Sequence, residues 1–344
     1  YKAVAAALAI QGHHIGLQRL NKDGCSSFDL QKITHNHPLQ LSLSSNSLDE
    51  LKDRLAADGI SRHQSQGTIC GMDLSSRIDR MLDIRLLFSA LVDADFLDTE
   101  AHFEGGADGK CYRQPGPPLQ PERALEILLS HVKRLQVGTQ ADPRVAEVRA
   151  ALHKACLDAA ESSTGLFTLT APTGSGKTLA MLALALAHAR KHGLRRVVMV
   201  IPYLSIIEQT AQIYRDIIAP HFGDEYVLEH HSLAGRGAEQ NRTDNEGNGT
   251  EDPERRRRLL AENWDAPMVV TTSVQMLESL FSNRPSACRK LHRLARSVIL
   301  FDEVQTLPAS LAVPTLAALS HLAHAYGSSV VFYTDTQPAF TLLH

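Results

Sequence analysis

Eight consecutive residues, Ala171-Pro172-Thr173-Gly174-Ser175-Gly176-Lys177-Thr178, have the composition of a loop that cradles phosphate. The two glycines let backbone N–H groups turn inward around an anion, and Lys177 supplies a charge for the β- and γ-phosphates of a nucleotide. The Thr178 hydroxyl is placed to hold Mg²⁺. A second pair, Asp302-Glu303, follows the apolar run Ser297–Phe301. Acids delivered at the carboxyl end of a strand complete such a site, with Asp302 in the Mg²⁺ shell and Glu303 orienting and deprotonating the attacking water. Each half also has a plainer reading, as a glycine turn with a solvent lysine and as acids at a helix N-terminus. Together, in a strand–loop–helix context, they point to ATP binding.

The elements that must position these residues are legible in the apolar runs. Leu166–Thr170 is a short β-prone run, followed by the glycine loop and a long helix through Lys191. Arg196–Ile201 reads as a buried strand ending at Pro202, Leu204–Ile218 as a helix, Met268–Thr272 as a strand and Val274–Phe281 as a helix. Ser297–Phe301 and Ser329–Tyr333 read as further strands. Strands alternating with helices predict a parallel sheet with crossover helices. The polar stretch Asp224–Glu262 reads as a surface insertion, and the run Arg255–Arg258 as a solvated helix face.

The preceding half has a different grammar. Tyr1–Leu8 is helical in character and ends at Gln11-Gly12, and Asn21 to about Gly71 reads as loops and small helices that include His35 and His37. Arg77–Phe96 is an amphipathic helix, Gly105–Pro118 breaks regular structure, and Pro121–Val137 is a helix. Asp142-Pro143 opens the next helix with a first-turn proline.

Composition excludes several classes. With 344 residues two domains are the prior expectation, and 43% hydrophobic with 21% charged residues is ordinary for a globular protein. A net charge of -3 means that any nucleic-acid binding uses a local groove rather than a bulk basic field. Five scattered cysteines without a C-x-x-C pair argue against a disulfide framework or a structural zinc site, and fit a cytoplasmic location. No apolar run reaches the ~20 residues of a membrane span. The chain opens at Tyr1 inside a helical pattern, as a piece of a longer protein would.

Three blocks carry a resemblance to a known family: Leu169–Leu179 (LTAPTGSGKTL), Asn263–Leu280 (NWDAPMVVTTSVQMLESL) and Ser297–Pro308 (SVILFDEVQTLP). They resemble the CRISPR-associated helicase-nuclease of type I interference systems, through most of Val145–His344. The resemblance implies a RecA-like parallel sheet with crossover helices, preceded by a partial all-α HD-type domain. The expected organisation is the C-terminal part of a metal-dependent HD nuclease at 1–110, a linker and helix at 111–144, and the first RecA-like lobe at 145–344. The implied cofactors are ATP and Mg²⁺, and the implied partners are single-stranded DNA and a crRNA-guided Cascade surveillance complex, with no membrane.

By the same resemblance Pro202–Thr210, Thr271 and Thr272 contact the DNA backbone. This suits hydroxyls and amides at strand ends, while helix capping by Thr272 is the competing reading. Thr334-Asp335-Thr336, followed by Gln337-Pro338, stands where the family has Ser/Thr-Ala-Thr. Thr334 and Thr336 would couple hydrolysis to strand movement, and the added carboxylate puts that coupling in question.

In the front half, His13-His14 resembles the late His-His motif of the HD domain, and Ala94-Asp95-Phe96-Leu97 its final metal-binding aspartate. Helical geometry supports Asp95: it falls on the face of Met81, Ile84, Phe88 and Leu91, while Asp93 points away. Imidazole with carboxylate suits Mn, Fe, Co or Ni, and Mg less well. Two metals would clamp a phosphodiester and generate hydroxide. The family's earlier ligands are expected before Tyr1 and its second lobe after His344. The expected behaviour is then nucleotide binding, slow hydrolysis, no processive unwinding and weak or absent nuclease activity. The competing readings are a repair or RNA helicase with an unrelated helical front half, and a non-catalytic nucleotide-gated binding module.

Overall fold

The computed structural model describes residues 2–17, 49–50, 53–54, 56–57, 77–105, 109–138, 142–172, 174–231 and 253–334. Thr173, Asp335, Thr336, His35, His37 and the polar stretch 232–252 lie outside them. Helices α1 (Lys2–Ile15), α2 (Arg77–Gly105), α3 (Pro121–Gly138) and α4 (Pro143–Ala159) come first. An alternating series follows: β1 (Leu166–Thr170), α5 (Lys177–His192), β2 (Arg196–Ile201), α6 (Leu204–Phe222), β3 (Val227–His230) and α7 (Pro253–Asn263). It continues through β4 (Met268–Thr272), α8 (Ser273–Phe281), the single turn α9 (Pro285–Cys288), β5 (Ser297–Phe301), α10 (Ala309–Tyr326) and β6 (Ser329–Thr334). Among the described residues no helix is long and apolar enough to cross a membrane.

The six strands form one parallel sheet in the order β1-β6-β5-β2-β4-β3. Strands β2, β4, β5 and β6 are buried along their whole length. Crossover helices cover both faces of the sheet, so these strands read as continuous apolar runs rather than alternating ones. On one face, α3 to α6 bury Leu128, Cys156, Leu182, Leu186, Ile207 and Tyr214. On the other, α2, α7, α8 and α10 surround Trp264 with Leu82, Leu86, Leu260, Met276 and Leu319. The RecA-like sheet expected from the motifs is present.

Four local expectations are corrected. The segment Asp224–Glu262 is not wholly a surface insertion: Val227–His230 is the edge strand β3, and α7 sends Leu260 and the adjoining Trp264 into the core. The Arg255–Arg258 run is also more engaged than a solvated face, because Arg256 pairs with Glu225 at 3.1 Å and reaches the carbonyls of Gln114 and Pro115. Helix α3, in the segment read as a linker and helix outside the lobe, contributes Ala124, Leu125 and Leu128 to the sheet core.

Helix α1 does not stop at Gly12. A Cβ there would lie 3.3 Å from Phe88 and from the Leu17 backbone, so glycine allows the close approach of α1 to α2, and tertiary contact carries the helix on. It ends at Gly16 (φ 87), where a Cβ would meet the Asn283 carbonyl at 2.4 Å.

Candidate functional site

The phosphate loop leaves β1 at the carboxyl edge of the sheet and enters α5. Gly174 (φ 80) and Gly176 (φ 79) both occupy the left-handed region, where a side chain would be strained. Ser175 N–H donates to the Pro172 carbonyl at 3.2 Å and closes a turn between them. The Ser175 hydroxyl is buried and has no hydrogen-bond partner among the described residues, an orphan donor inside a loop of this type. Ala171, Pro172, Gly174, Ser175, Gly176, Lys177 and Thr178 thus form one continuous turn into the helix N-terminus, with Thr173 outside the described residues.

Strand β5 delivers Asp302 and Glu303 to the same edge, and Asp302 N–H continues the ladder to the Val200 carbonyl at 2.9 Å. Strand β6 lies between β1 and β5, so loop and acids face each other across its end. Burial pushes the Asp302 carboxyl up to about 6, neighbouring Glu303 adds to the rise, and Lys177 opposes it. Burial lowers Lys177, and the charges of Asp302 and Glu303 raise it in part. These groups therefore feel one another's fields, which is what a shared metal–phosphate site requires. Glu303 is non-glycine at φ 49, a strained conformation held by Thr306, whose hydroxyl donates to the Glu303 carbonyl at 2.8 Å. Gln305 donates to the Glu303 carboxylate.

Of the residues expected to touch DNA, Thr271 is turned inward. It is fully buried and its hydroxyl donates to the His230 carbonyl at 2.8 Å, so a hydroxyl-to-phosphate contact by Thr271 is corrected. The β-pleat sends alternate side chains to opposite faces, and Thr271 faces the neighbouring strand end. The Thr272 hydroxyl accepts from Gln275 N–H at 3.0 Å and caps α8. Thr334 closes β6 opposite Thr170 and is buried. Its companion Thr336 lies outside the described residues.

In the front half, one ligand atom each from His13, His14 and Asp95 lies within 4.8 Å of the other two. The His13 and His14 rings are 3.9 Å apart at the end of α1. Nδ1 of His13 donates to the Ile10 carbonyl, which fixes the tautomer and leaves Nε2 as the acceptor nitrogen. A second group, Glu208, Glu229 and His231, also converges, but Arg215 already pairs with Glu229 at 2.9 Å.

The helical argument for Asp95 needs correction. Met81 is exposed, whereas Leu82, Arg85, Leu86, Ser89 and Asp93 form the buried stripe against the sheet lobe. Asp93 does not point away. Its carboxylate accepts from Arg289 at 3.0 Å and from Asn263 at 3.1 Å, with His292 at 3.5 Å and Arg293 at 3.8 Å. Helix α2 has two contact faces, one for α1 and one for the lobe, so a single apolar stripe could not describe it. Arg85 extends the same seam by donating to the Leu280 carbonyl at 2.6 Å.

Two participants were not visible in the sequence. Arg149 on α4 donates to the Gly174 carbonyl at 3.2 and 3.3 Å, and its stem lies over Gly176. Tyr333 on β6 donates to the Ala171 carbonyl at 2.7 Å. No periodic pattern marks an exposed arginine that bonds a loop carbonyl 25 residues on, or a tyrosine in an apolar strand.

Comparison with known proteins agrees with this arrangement. The family model described as "Type III restriction enzyme, res subunit" matches residues 124–327. The CRISPR-associated nuclease/helicase Cas3 of Haloferax volcanii is 31% identical over 178 residues, covering 50% of this chain and 19% of that protein. The fold is shared with crystal structures of T. fusca Cas3 in its ATP form (TM-score 0.59, 17% identity) and its AMPPNP form (TM-score 0.58, 16% identity). Each comparison covers 96% of this chain and 36% of the structure. The chain thus spans about a fifth of the curated relative and about a third of those structures. By its matched span and its parallel helicase-type sheet, the chain belongs to the type III restriction enzyme res-subunit family, and its helicase lobe is similar to that of Cas3.

Proposed function

We propose that the chain carries the first nucleotide-binding lobe of an ATP-dependent translocase on single-stranded DNA, joined to part of a metal-dependent HD nuclease. The parent protein would degrade foreign DNA in type I CRISPR interference, recruited by a crRNA-guided Cascade complex. The observation that carries the combined reading is the convergence of His13 and His14 of α1 with Asp95 of α2, a helix that packs into the nucleotide-binding lobe. A repair or RNA helicase with an unrelated front half has no use for that trio.

In the lobe, the loop amides and Lys177 hold the triphosphate, Thr178 and Asp302 hold Mg²⁺, and Glu303 aims the attacking water. The orphan Ser175 hydroxyl and the raised Asp302 carboxyl fit a site that expects phosphate and cation. In the front half the ligand set suits Mn, Fe, Co or Ni, or Mg less well. Such a metal, when bound, supplies Lewis acidity and a hydroxide at neutral pH. The residues of the chain hold it and fix its position against α2. At the carboxyl edge, capped α8 and neighbouring α6 offer first-turn amides to a DNA backbone without reading its sequence.

The test is Mg²⁺-dependent binding of a fluorescent adenine nucleotide and single-strand-stimulated phosphate release. Both are expected in the native chain, with release lowered roughly 10²-fold or more by Lys177→Ala. A chain that binds no adenine nucleotide in the presence of Mg²⁺ would remove the basis of this reading.

A further inference from the structure

Resting on the nucleotide-site reading, we infer that Tyr333 is a positioning residue for the phosphate loop, acting through two separate groups. Its hydroxyl donates to the Ala171 carbonyl at 2.7 Å, at the first residue of the loop. Its ring lies under the Lys177 ammonium, with Nζ 4.5 Å from the centroid. One side chain on β6 therefore holds both ends of the loop, the carbonyl where it leaves β1 and the lysine where it enters α5.

The strand pairing makes this possible. β6 runs parallel beside β1 with Leu169 opposite Tyr333 and Thr170 opposite Thr334, so Tyr333 sits at the level where β1 turns into the loop. The phenol is almost fully buried, which keeps the ring in one orientation. With its carbonyl pinned by the Tyr333 hydroxyl, Ala171 is held at the point where β1 gives way to the loop. Arg149 does the same from the outer side at the Gly174 carbonyl. A cation over a partly desolvated ring is attracted by its negative face, so the ring supplies Lys177 with a resting place within the site.

When a triphosphate binds, Lys177 turns toward its oxygens and the ring loses its cation.

The experiment compares Tyr333→Phe and Tyr333→Leu, with Mg²⁺ and a fluorescent ADP analogue as the probe. Acetylation of individual lysines without nucleotide is followed in parallel by mass spectrometry. Tyr333→Phe removes only the hydroxyl, and the dissociation constant is expected to rise roughly fivefold, the effect of one lost hydrogen bond. Lys177 labelling should stay at the native rate in this variant, because the ring remains. Tyr333→Leu should raise the dissociation constant at least as far and speed Lys177 labelling severalfold, with surface Lys191 unchanged as the internal reference. A merely structural tyrosine would not change Lys177 relative to Lys191. Equal nucleotide affinity in all three proteins, or Lys177 labelling that rises only in step with Lys191, overturns the inference. If Tyr333→Leu does not fold, the Tyr333→Phe affinity decides. If the native chain binds no ADP, the nucleotide reading has failed, while the labelling arm still tests the contact between ring and lysine.

Discussion

The two candidate sites of this molecule are assembled in opposite ways. The phosphate loop is local: eight consecutive residues turn one strand into one helix, and much of the ligand surface is backbone N–H. The His13–His14–Asp95 cluster is assembled at a distance, from two helices some 80 residues apart, and depends on how α2 is seated. A site made of local backbone needs its glycines and a strand before it. A site made of distant side chains needs everything that holds its helices. The difference lies in how each fails when the seam between them is disturbed.

The largest expected effect is at that seam. Asp93→Ala takes the buried one of two acidic partners from nearly fully buried Arg289, leaving it only the half-exposed Glu262 at 2.9 Å, and is expected to cost about 3 kcal/mol in urea unfolding. Metal affinity should fall with it, because Asp95 lies one residue beyond the next on the same helix. Unfolding at native urea concentrations would show that α2 is not part of the lobe core, and the contrast between local and distant assembly would lose its basis.

Asp95→Ala should lower divalent-metal affinity about 10- to 100-fold in equilibrium dialysis while leaving Mg²⁺–ADP affinity within twofold. Loss of nucleotide binding in this variant would mean that the two sites are not separately assembled.

The third effect is a pH dependence confined to the lobe. Asp302 titrates near 6 because burial favours its protonated form. Metal must displace that proton, so Mg²⁺–nucleotide affinity should fall as pH drops below about 6, approaching tenfold per unit, and level off above it. The sign for stability is the reverse: the ligand-free fold gains as pH falls from about 6 toward the ordinary carboxylate range. Calorimetry between pH 5 and 8 checks both, and an affinity flat across that range would assign the cation to other groups.

The smallest effect is Arg149→Ala, which removes an exposed guanidinium from the Gly174 carbonyl. Nucleotide affinity should weaken about two- to fivefold, with Arg149→Lys recovering part of it. ADP and ATP should be affected alike, since the contact is to the loop. A selective loss of ATP would move Arg149 to the γ-phosphate.

Much of the lobe could be read in advance, for a physical reason. Buried parallel strands are apolar throughout, so β2, β4, β5 and β6 stood out with their boundaries nearly right, while the partly exposed edge strand β1 showed as a short β-prone run ahead of the glycine loop. Strand β3 did not, because an edge strand of four residues with half-buried Glu229 and His230 has neither a run nor an alternation to show. The loop and the Asp302-Glu303 pair were legible because their chemistry is written in adjacent residues. His13 and His14 were singled out only through family resemblance, since a His-His doublet among 17 histidines carries little information by itself. The helical wheel then misplaced Asp93, because a helix with two buried sides has no single apolar stripe. Thr271 was misjudged for a related reason: a strand-end hydroxyl can face the next strand as readily as the solvent.

One consequence of α2 concerns inheritance. At 29 residues it is a rod of about 43 Å, with Leu82 and Leu86 in the core against the sheet and Asp95 beside His13 and His14 of α1. Exchange of the front half between relatives by recombination would bring a foreign helix into the lobe's interior, where it must match Trp264, Leu280 and Arg289 as a native one does. Such chimeras should keep their stability only when the crossover falls ahead of Arg77, so that α2 stays with the lobe it packs against.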